Sequence, residues 1–227
     1  MVIAPDSAHD AVSIAVAEAE ANSNGEIVTV LSNSSDAYHD VGLHWAAAAL
    51  LLLLALAAAF PAWLVGLHSA LTGGGWGTSD LPPLQTLLFM VMALAILAFT
   101  IVLFAMKWPP LRMAVTPGAT KQRRVRRRAI ELFKVATERR TVGRTGVLLY
   151  LSMAEHRAEI VADHAIHSVT TPETWGDAME ALLIEVKAGR PVAGLVAAIG
   201  EIGIVLAEHC PRTEGDTNEI PDKLIEL

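Results

Sequence analysis

Apolar residues follow three patterns along this chain: a helical period before Asn22, two unbroken apolar blocks between Val41 and Met106, and alternating helical and β-branched segments after Lys107. In the first region, Pro5 to Ala21 sets Ala8, Val12, Ala15, Val16 and Ala19 on one face, and Asn22, Ser23, Asn24 and Gly25 end the helix. Glu26 to Leu31 is short and β-branched, which predicts a strand. In the third region, Thr120 to Arg139 brings Val125, Ala129, Leu132, Phe133 and Ala136 to one side of a helix. Thr145 to Met153 is apolar enough for a central strand, and Ala158 to Ala162 is its expected hairpin partner. Two helices close the chain. Thr171 caps the first with Pro172 at its opening position, Trp175, Met179, Leu182 and Val186 follow at helical spacing, and Gly189 ends it. The second runs from Pro191 to His209.

The two central blocks set the class. Val41 to Leu67 contains no ionised residue, and Leu84 to Met106 contains no charge at all. About 20 apolar residues span a hydrocarbon core of roughly 30 Å, so both predict transmembrane helices, over about residues 43–66 and 84–106 with a loop at 68–83. Trp45, Trp63 and Trp108 lie near the ends, where indoles favour headgroups, and Pro61 is placed to kink the first helix. Pro191 to His209 resembles a third span in length. Glu201 near its middle would cost roughly 2.5–3.5 kcal/mol in a bilayer, so packing on the sheet is the expectation.

Charge gives an orientation. All 17 Lys and Arg lie at or beyond Lys107, and the loop between the blocks has Asp80 as its only charge. Basic residues beside a span are retained in the cytoplasm. The expectation is therefore a bacterial inner-membrane protein with two spans, a glycine-rich tip (Gly73, Gly74, Gly75, Gly77) outside and both termini cytoplasmic. Nothing before Val41 pairs a basic region with an apolar one, so no secretory signal peptide is expected. The single cysteine, Cys210, makes no internal disulfide and suits a reducing compartment.

A strand, a crossover containing a helix and a second strand make a parallel unit, with the apolar pair lying inside the crossover. The fold class expected is α/β: a small α/β sandwich with a βαβ unit interrupted by a two-helix transmembrane hairpin. Residues 1–40 and 109–227 would form the two parts of one domain, and 41–108 the hairpin.

Candidate chemistry follows from strand polarity. Asp36 and Asp40 come after the first strand, Glu155 and His156 after the second, and Asp163 and His164 after the third. Hard cations take clustered carboxylate oxygens, so Asp36, Asp40 and Glu155 are the first candidate site for Ca2+ or Mg2+. Asp163 and His164 form a second acidic site at the other end of the sheet, if the third strand returns antiparallel. The same residues also suit plainer roles as loop polar groups, caps and a solvated turn. No nucleophile elbow, phosphate-cradling loop or HExxH is present. The run Lys121, Arg123, Arg124, Arg126, Arg127 and Arg128 suits lipid headgroups, a solvated face or nucleic acid. No aromatic residue interleaves it and the membrane is adjacent, so anionic headgroups are favoured and nucleic acid is not expected.

An ordered set of short motifs resembles the TPM-domain family: Gly25-Glu26-Ile27-Val28, Ser35-Asp36-Ala37-Tyr38, Thr141 to Gly146 with Val147-Leu148-Leu149, and Glu155-His156-Arg157 with Ile160 to Asp163. Trp175, Gly189, Gly194-Leu195 and Asn218-Glu219-Ile220-Pro221 resemble the branch whose domain carries a membrane hairpin. The resemblance covers nearly the whole chain. It implies a compact α/β sandwich in membrane-associated proteins, some of them described as metal-dependent acid phosphatases. Two functions are expected: an interaction or assembly module that docks an unidentified protein partner at the membrane, and, as the alternative, a divalent-cation-dependent phosphatase-like hydrolase. A channel through the hairpin itself is disfavoured, because neither span has an ionisable residue in its middle.

Overall fold

The computed structural model describes residues 6–73, 81–136, 145–213 and 221–227. Most of the glycine-rich tip, residues 141–144 of the third motif and residues 218–220 of the last one lie outside them. The chain divides into two compact units, residues 1–36 with 117–227, and residues 37–116. Those borders lie four residues before the expected one at 40/41 and eight after the expected one at 108/109.

In the first unit the order is α1 (Asp6–Glu20) and β1 (Glu26–Ser32), then, after the insertion, α6 (Gly118–Ala136), β2 (Gly146–Ser152), β3 (Arg157–Ala162), α7 (His164–His167), α8 (Gly176–Lys187), α9 (Pro191–His209) and β4 (Ile225–Glu226). Strand order is β3-β2-β1-β4. β1 and β2 are parallel and in register from Glu26↔Gly146 to Ser32↔Ser152. β3 returns antiparallel to β2, and β4 adds in parallel to the far side of β1. Every residue of β1 and β2 is buried, as expected of parallel strands covered on both faces. On one face Ile27, Leu31, Val147, Leu149 and Leu151 meet α1, α8 and α9 through Val12, Val16, Leu182, Leu195, Ile199 and Ile202. On the other, Val28, Val30, Leu148 and Tyr150 meet Val125, Ala129 and Phe133 of α6.

The second unit holds α2 (His39–Ala59), α3 (Ala62–Thr72), α4 (Leu84–Ala105) and α5 (Pro109–Val115). Its side chains are arranged inside out. Small residues, Ala46, Ala57 and Ala95, are buried, while Leu51, Leu52, Leu88, Ile96 and Ile101 are 57–63% exposed. Close packing through small residues with large apolar ones turned outward is how helices associate in lipid. Gly42 permits one such approach, with a Cβ there falling 3.1 Å from Met106 Cβ. Among the described residues three helices, α2, α4 and α9, are long and apolar enough to cross a membrane.

The fold class requires correction. Helix accounts for 67% and includes nine α-helices among the described residues, against one small mixed sheet of four strands. The protein is therefore helix-dominated rather than a small α/β sandwich with one two-helix hairpin. Two local departures from the expected elements accompany it. The first apolar block is not one helix: Pro61 has no amide hydrogen to continue the ladder, and the chain breaks at Phe60 (φ −131°, ψ 64°) between α2 and α3. Short helices that hydrophobic period does not flag, α5 and α7, fill the connections. The helix expected from Thr171 opens instead as a 3-10 turn, Pro172–Trp175, fastened by a reciprocal Thr171–Thr174 capping box before α8 begins.

Two glycines of α9 should respond oppositely to a methyl group. A Cβ at Gly203 would lie 2.7 Å from Ala19 Cβ and 2.9 Å from its Cα, so α1 and α9 touch there backbone to backbone. Gly203→Ala is expected to destabilise by about 1–3 kcal/mol. Gly200 has nothing within 4 Å, and Gly200→Ala is expected to stabilise by up to about 1 kcal/mol through helix propensity. Chemical denaturation of both variants in detergent, followed by circular dichroism, checks the two signs.

Candidate functional site

At the carboxyl end of β1 and β2 the chain forms a polar latch. Seven-residue strands of equal length end together at Ser32 and Ser152, so loop 33–36 meets the β2–β3 turn. The Met153 and Ala154 amides donate to the Ser32 and Asn33 carbonyls at 2.9 and 3.0 Å. Glu155, buried in that turn, accepts from the Ser35 amide at 2.9 Å and the Ser34 hydroxyl at 3.3 Å through Oε1, and from the Ser152 hydroxyl through Oε2. Ser35 Oγ lies 2.9 Å from the hydroxyl of the fully buried Tyr150. His156 takes the left-handed conformation, φ 50°, that lets the turn close. The turn expected to be solvated thus carries a buried carboxylate whose oxygens accept from three serines.

The candidate ligands do not gather. Asp36 Oδ2 accepts from Arg124 Nη1 at 2.9 Å, with Arg127 Nη2 at 3.5 Å. Asp40 belongs to the second unit, in the first turn of α2, where its carbonyl oxygen lies 2.6 Å from His44 Nδ1. Asp163 is at the opposite end of the sheet from Glu155, its amide donating to the Gly146 carbonyl at 2.9 Å. It caps α7, accepting from the His164 amide at 2.7 Å, and His164 and His167 share that four-residue helix. Among the described residues no group of three or more His, Cys, Asp or Glu is placed to hold a metal ion. Cys210 ends α9, and burial pushes its thiol up, away from the reactive thiolate.

What the first unit does assemble is the basic helix. α6 buries Val125, Ala129 and Phe133 on the sheet and turns its cations along the remaining three sides. Arg124 and Arg127 face Asp36, Arg127 and Arg128 flank Glu131 at 3.8 and 3.6 Å, and Arg126 faces Glu159 of β3. Lys121 and Arg123 make no ion pair among the described residues, and Arg123 and Arg127 are exposed. The buried stripe was legible from period alone. The Asp36 partnership was not, since nothing local links positions 88 residues apart.

Burial raises the Glu159 carboxyl above its ordinary value, against the opposing pull of Arg126 and Arg157. A carboxyl raised in the folded state binds its proton more tightly there than in the unfolded chain. Its charged form therefore costs stability at neutral pH, and the cost fades as pH falls through the raised value. Glu159→Gln is expected to leave stability at pH 7 unchanged or slightly higher, with the difference from wild type closing toward pH 4; urea titrations at several pH values check this. By contrast, Glu155→Ala strips the acceptor from buried donors and is expected to cost about 1–3 kcal/mol in the same titrations.

No family model matches this chain, and no curated protein matches it. A solved structure does: the NMR structure of the BA42 protein from the psychrophilic bacterium Bizionia argentinensis is similar over 98% of this chain and 94% of that one, at 17% identity and a TM-score of 0.55. At that identity the likeness concerns the fold alone.

Proposed function

We propose that the protein is a membrane-tethered interaction or assembly module, related to the TPM-domain family, held at the cytoplasmic face of a bacterial inner membrane. α2 and α4 cross the bilayer, and the first unit carries both termini on the basic side. The observation that carries this reading is the succession of two helices with outward-facing Leu, Ile and Phe and a helix, α6, that presents exposed cations.

Sheet connectivity supports two crossings. β1 and β2 share one sheet, so an insertion between them that enters a bilayer must cross it an even number of times. α9 lies between β3 and β4, and β4 pairs with β1 through Val30↔Ile225 and Leu31↔Glu226. A single crossing by α9 would put β4 on the wrong side of the membrane. Its buried face, from Leu195 to Leu206, is already filled by the first core. Juxtamembrane cations gain roughly 1 kcal/mol each from anionic lipid, which supports contact of Lys121, Arg123 and Arg127 with headgroups. The alternative, a Ca2+- or Mg2+-dependent phosphatase-like hydrolase, is the weaker reading, because Asp36 and Glu155 are engaged by Arg124, Arg127 and the serine latch.

Single cysteines at Leu81 (78% exposed, before α4) and at the exposed Glu180 of α8, in a Cys210→Ser background, test the orientation. A membrane-impermeant maleimide on intact cells is expected to label position 81 and to reach position 180 only after permeabilisation. Labelling at 180 with protection at 81 inverts the protein and removes the proposal. For the lipid contact, amide exchange across residues 118–136 of the intact protein in nanodiscs is expected to slow with anionic lipid and to recover at high salt. Exchange indifferent to lipid charge contradicts it.

A further inference from the structure

β3 is an outer strand of the sheet, and its register identifies which backbone groups it leaves open. Asp163 donates to Gly146, its direct opposite in the β2–β3 ladder, so that pair is hydrogen-bonded. Bonded and non-bonded pairs alternate. Arg157, Glu159 and Val161 therefore turn their amides and carbonyls to β2, and Ala158, Ile160 and Ala162 turn theirs away from the sheet. The parallel ladder agrees: Glu26 donates to the Thr145 carbonyl at 3.2 Å, which points the odd-numbered residues of β2 to β1 and the even-numbered ones to β3. The outward amides of 158, 160 and 162 meet no backbone acceptor among the described residues. No proline or bulge interrupts this edge, and its charges, Arg157 and Glu159, lie on residues whose backbone groups turn to β2.

The edge opens into a cavity of about 230 Å3, with Arg126 of α6 on one side and Trp175 and Met179 on the other. We propose that this edge binds the β3 strand of a second copy of the chain, antiparallel about a two-fold axis at Ile160, so that the sheets join into one. The self-complementarity of the strand selects that occupant. Centred on Ile160, the register sets Ala158 against the partner's Ala162, Ile160 against the partner's Ile160 and Ala162 against the partner's Ala158, so every open donor and acceptor is used. Centring on Ala158 runs the pairing into the turn at His156, and centring on Ala162 runs it into α7. In the Ile160 register Arg157 faces the partner's Asp163, and Asp163 faces the partner's Arg157. These two opposite charges lie three residues on either side of the axis. On the other face Ile160, Trp175 and Met179, apolar lining of the open edge, are covered by their own counterparts. A strand from an unrelated protein would use the same backbone groups but would need to reproduce the charge pattern that this chain already carries.

The test uses the full chain in detergent and in nanodiscs. Light scattering corrected for bound detergent is expected to give the mass of two chains. Paired Cα atoms in a bonded antiparallel pair lie about 5.5 Å apart, which suits a disulfide. Ile160→Cys in a Cys210→Ser background is therefore expected to form a dimer on mild oxidation, whereas Ile14→Cys on α1, 59% exposed, is not. Arg157→Glu, which sets like charges opposite each other twice, is expected to weaken association by about tenfold. A monomer throughout the micromolar range overturns the proposal. So does a dimer that Ile160→Cys fails to link, which would assign association to another surface, and so does a foreign strand bound to a monomeric β3 edge.

Discussion

Parallel pairing of β1 with β2 is the constraint on which the rest depends. Adjacent parallel strands cannot be joined by a tight turn, and here the whole of residues 33–145 intervenes between Ser32 and Gly146. Both strands are buried along their full length, so their separation would expose the centre of both hydrophobic clusters. The second unit must therefore leave and re-enter the first at places that the sheet dictates. An apolar insertion held at both ends in this way can enter a bilayer only as an out-and-back path. The distribution of charge matches that geometry, with no cation before Lys107 and a dense run on α6.

The same constraint explains why the most elaborate polar network lies at the exit from β1. Chain leaving a central strand for another unit needs its last carbonyls and first loop amides satisfied without solvent. Glu155 does this from the neighbouring turn, with Ser152 and Tyr150 completing the latch around Ser34 and Ser35. Asp36, the final residue of the first unit before the insertion, is tied to Arg124 and Arg127. Carboxylates that could have served a cation are in this way spent on holding the exit loop and the basic helix in place. α6 thereby has two roles on two faces: Val125, Ala129 and Phe133 seal the sheet, and its cations are divided between Asp36, Glu131, Glu159 and the solvent side.

Much of this architecture is readable from side-chain period. α1, β1, β2, β3, α6 and α9 fall within a few residues of where apolar spacing puts them, because each packs one apolar face on a neighbour or, for β1 and β2, both. The misses have common causes. α5, α7 and β4 are too short to show a period, and the break at Phe60–Pro61 depends on how far a proline disrupts one helix, which composition does not reveal. The dominance of helix over sheet, which overturns the expected sandwich, comes from the long helices: α2, α4, α6 and α9 have 19–22 residues each, whereas no strand among the described residues exceeds seven. Of the candidate cation ligands, Asp36 and Glu155 stand out in the sequence because they follow strand ends, and both lie instead in polar contacts that hold the loops. Their partners do not stand out, since Arg124 meets Asp36 and Glu155 meets Ser35 only through the fold. The serine run Ser32-Asn33-Ser34-Ser35 was the available signal for the latch, and it reads as an ordinary loop until a buried acceptor is set beside it.

The central claim, that the insertion lies in hydrocarbon while the sheet stays in water, is tested most directly by depth. Nitroxide labels at Leu52 of α2 and Ile96 of α4, 61% and 58% exposed, can be compared in lipid bilayers with one at Ile204 of α9, 64% exposed. Residues in the hydrocarbon should collide readily with oxygen and hardly at all with a polar nickel complex, and position 204 should show the reverse. Access of the nickel complex to positions 52 and 96 equal to that at 204 would contradict the account.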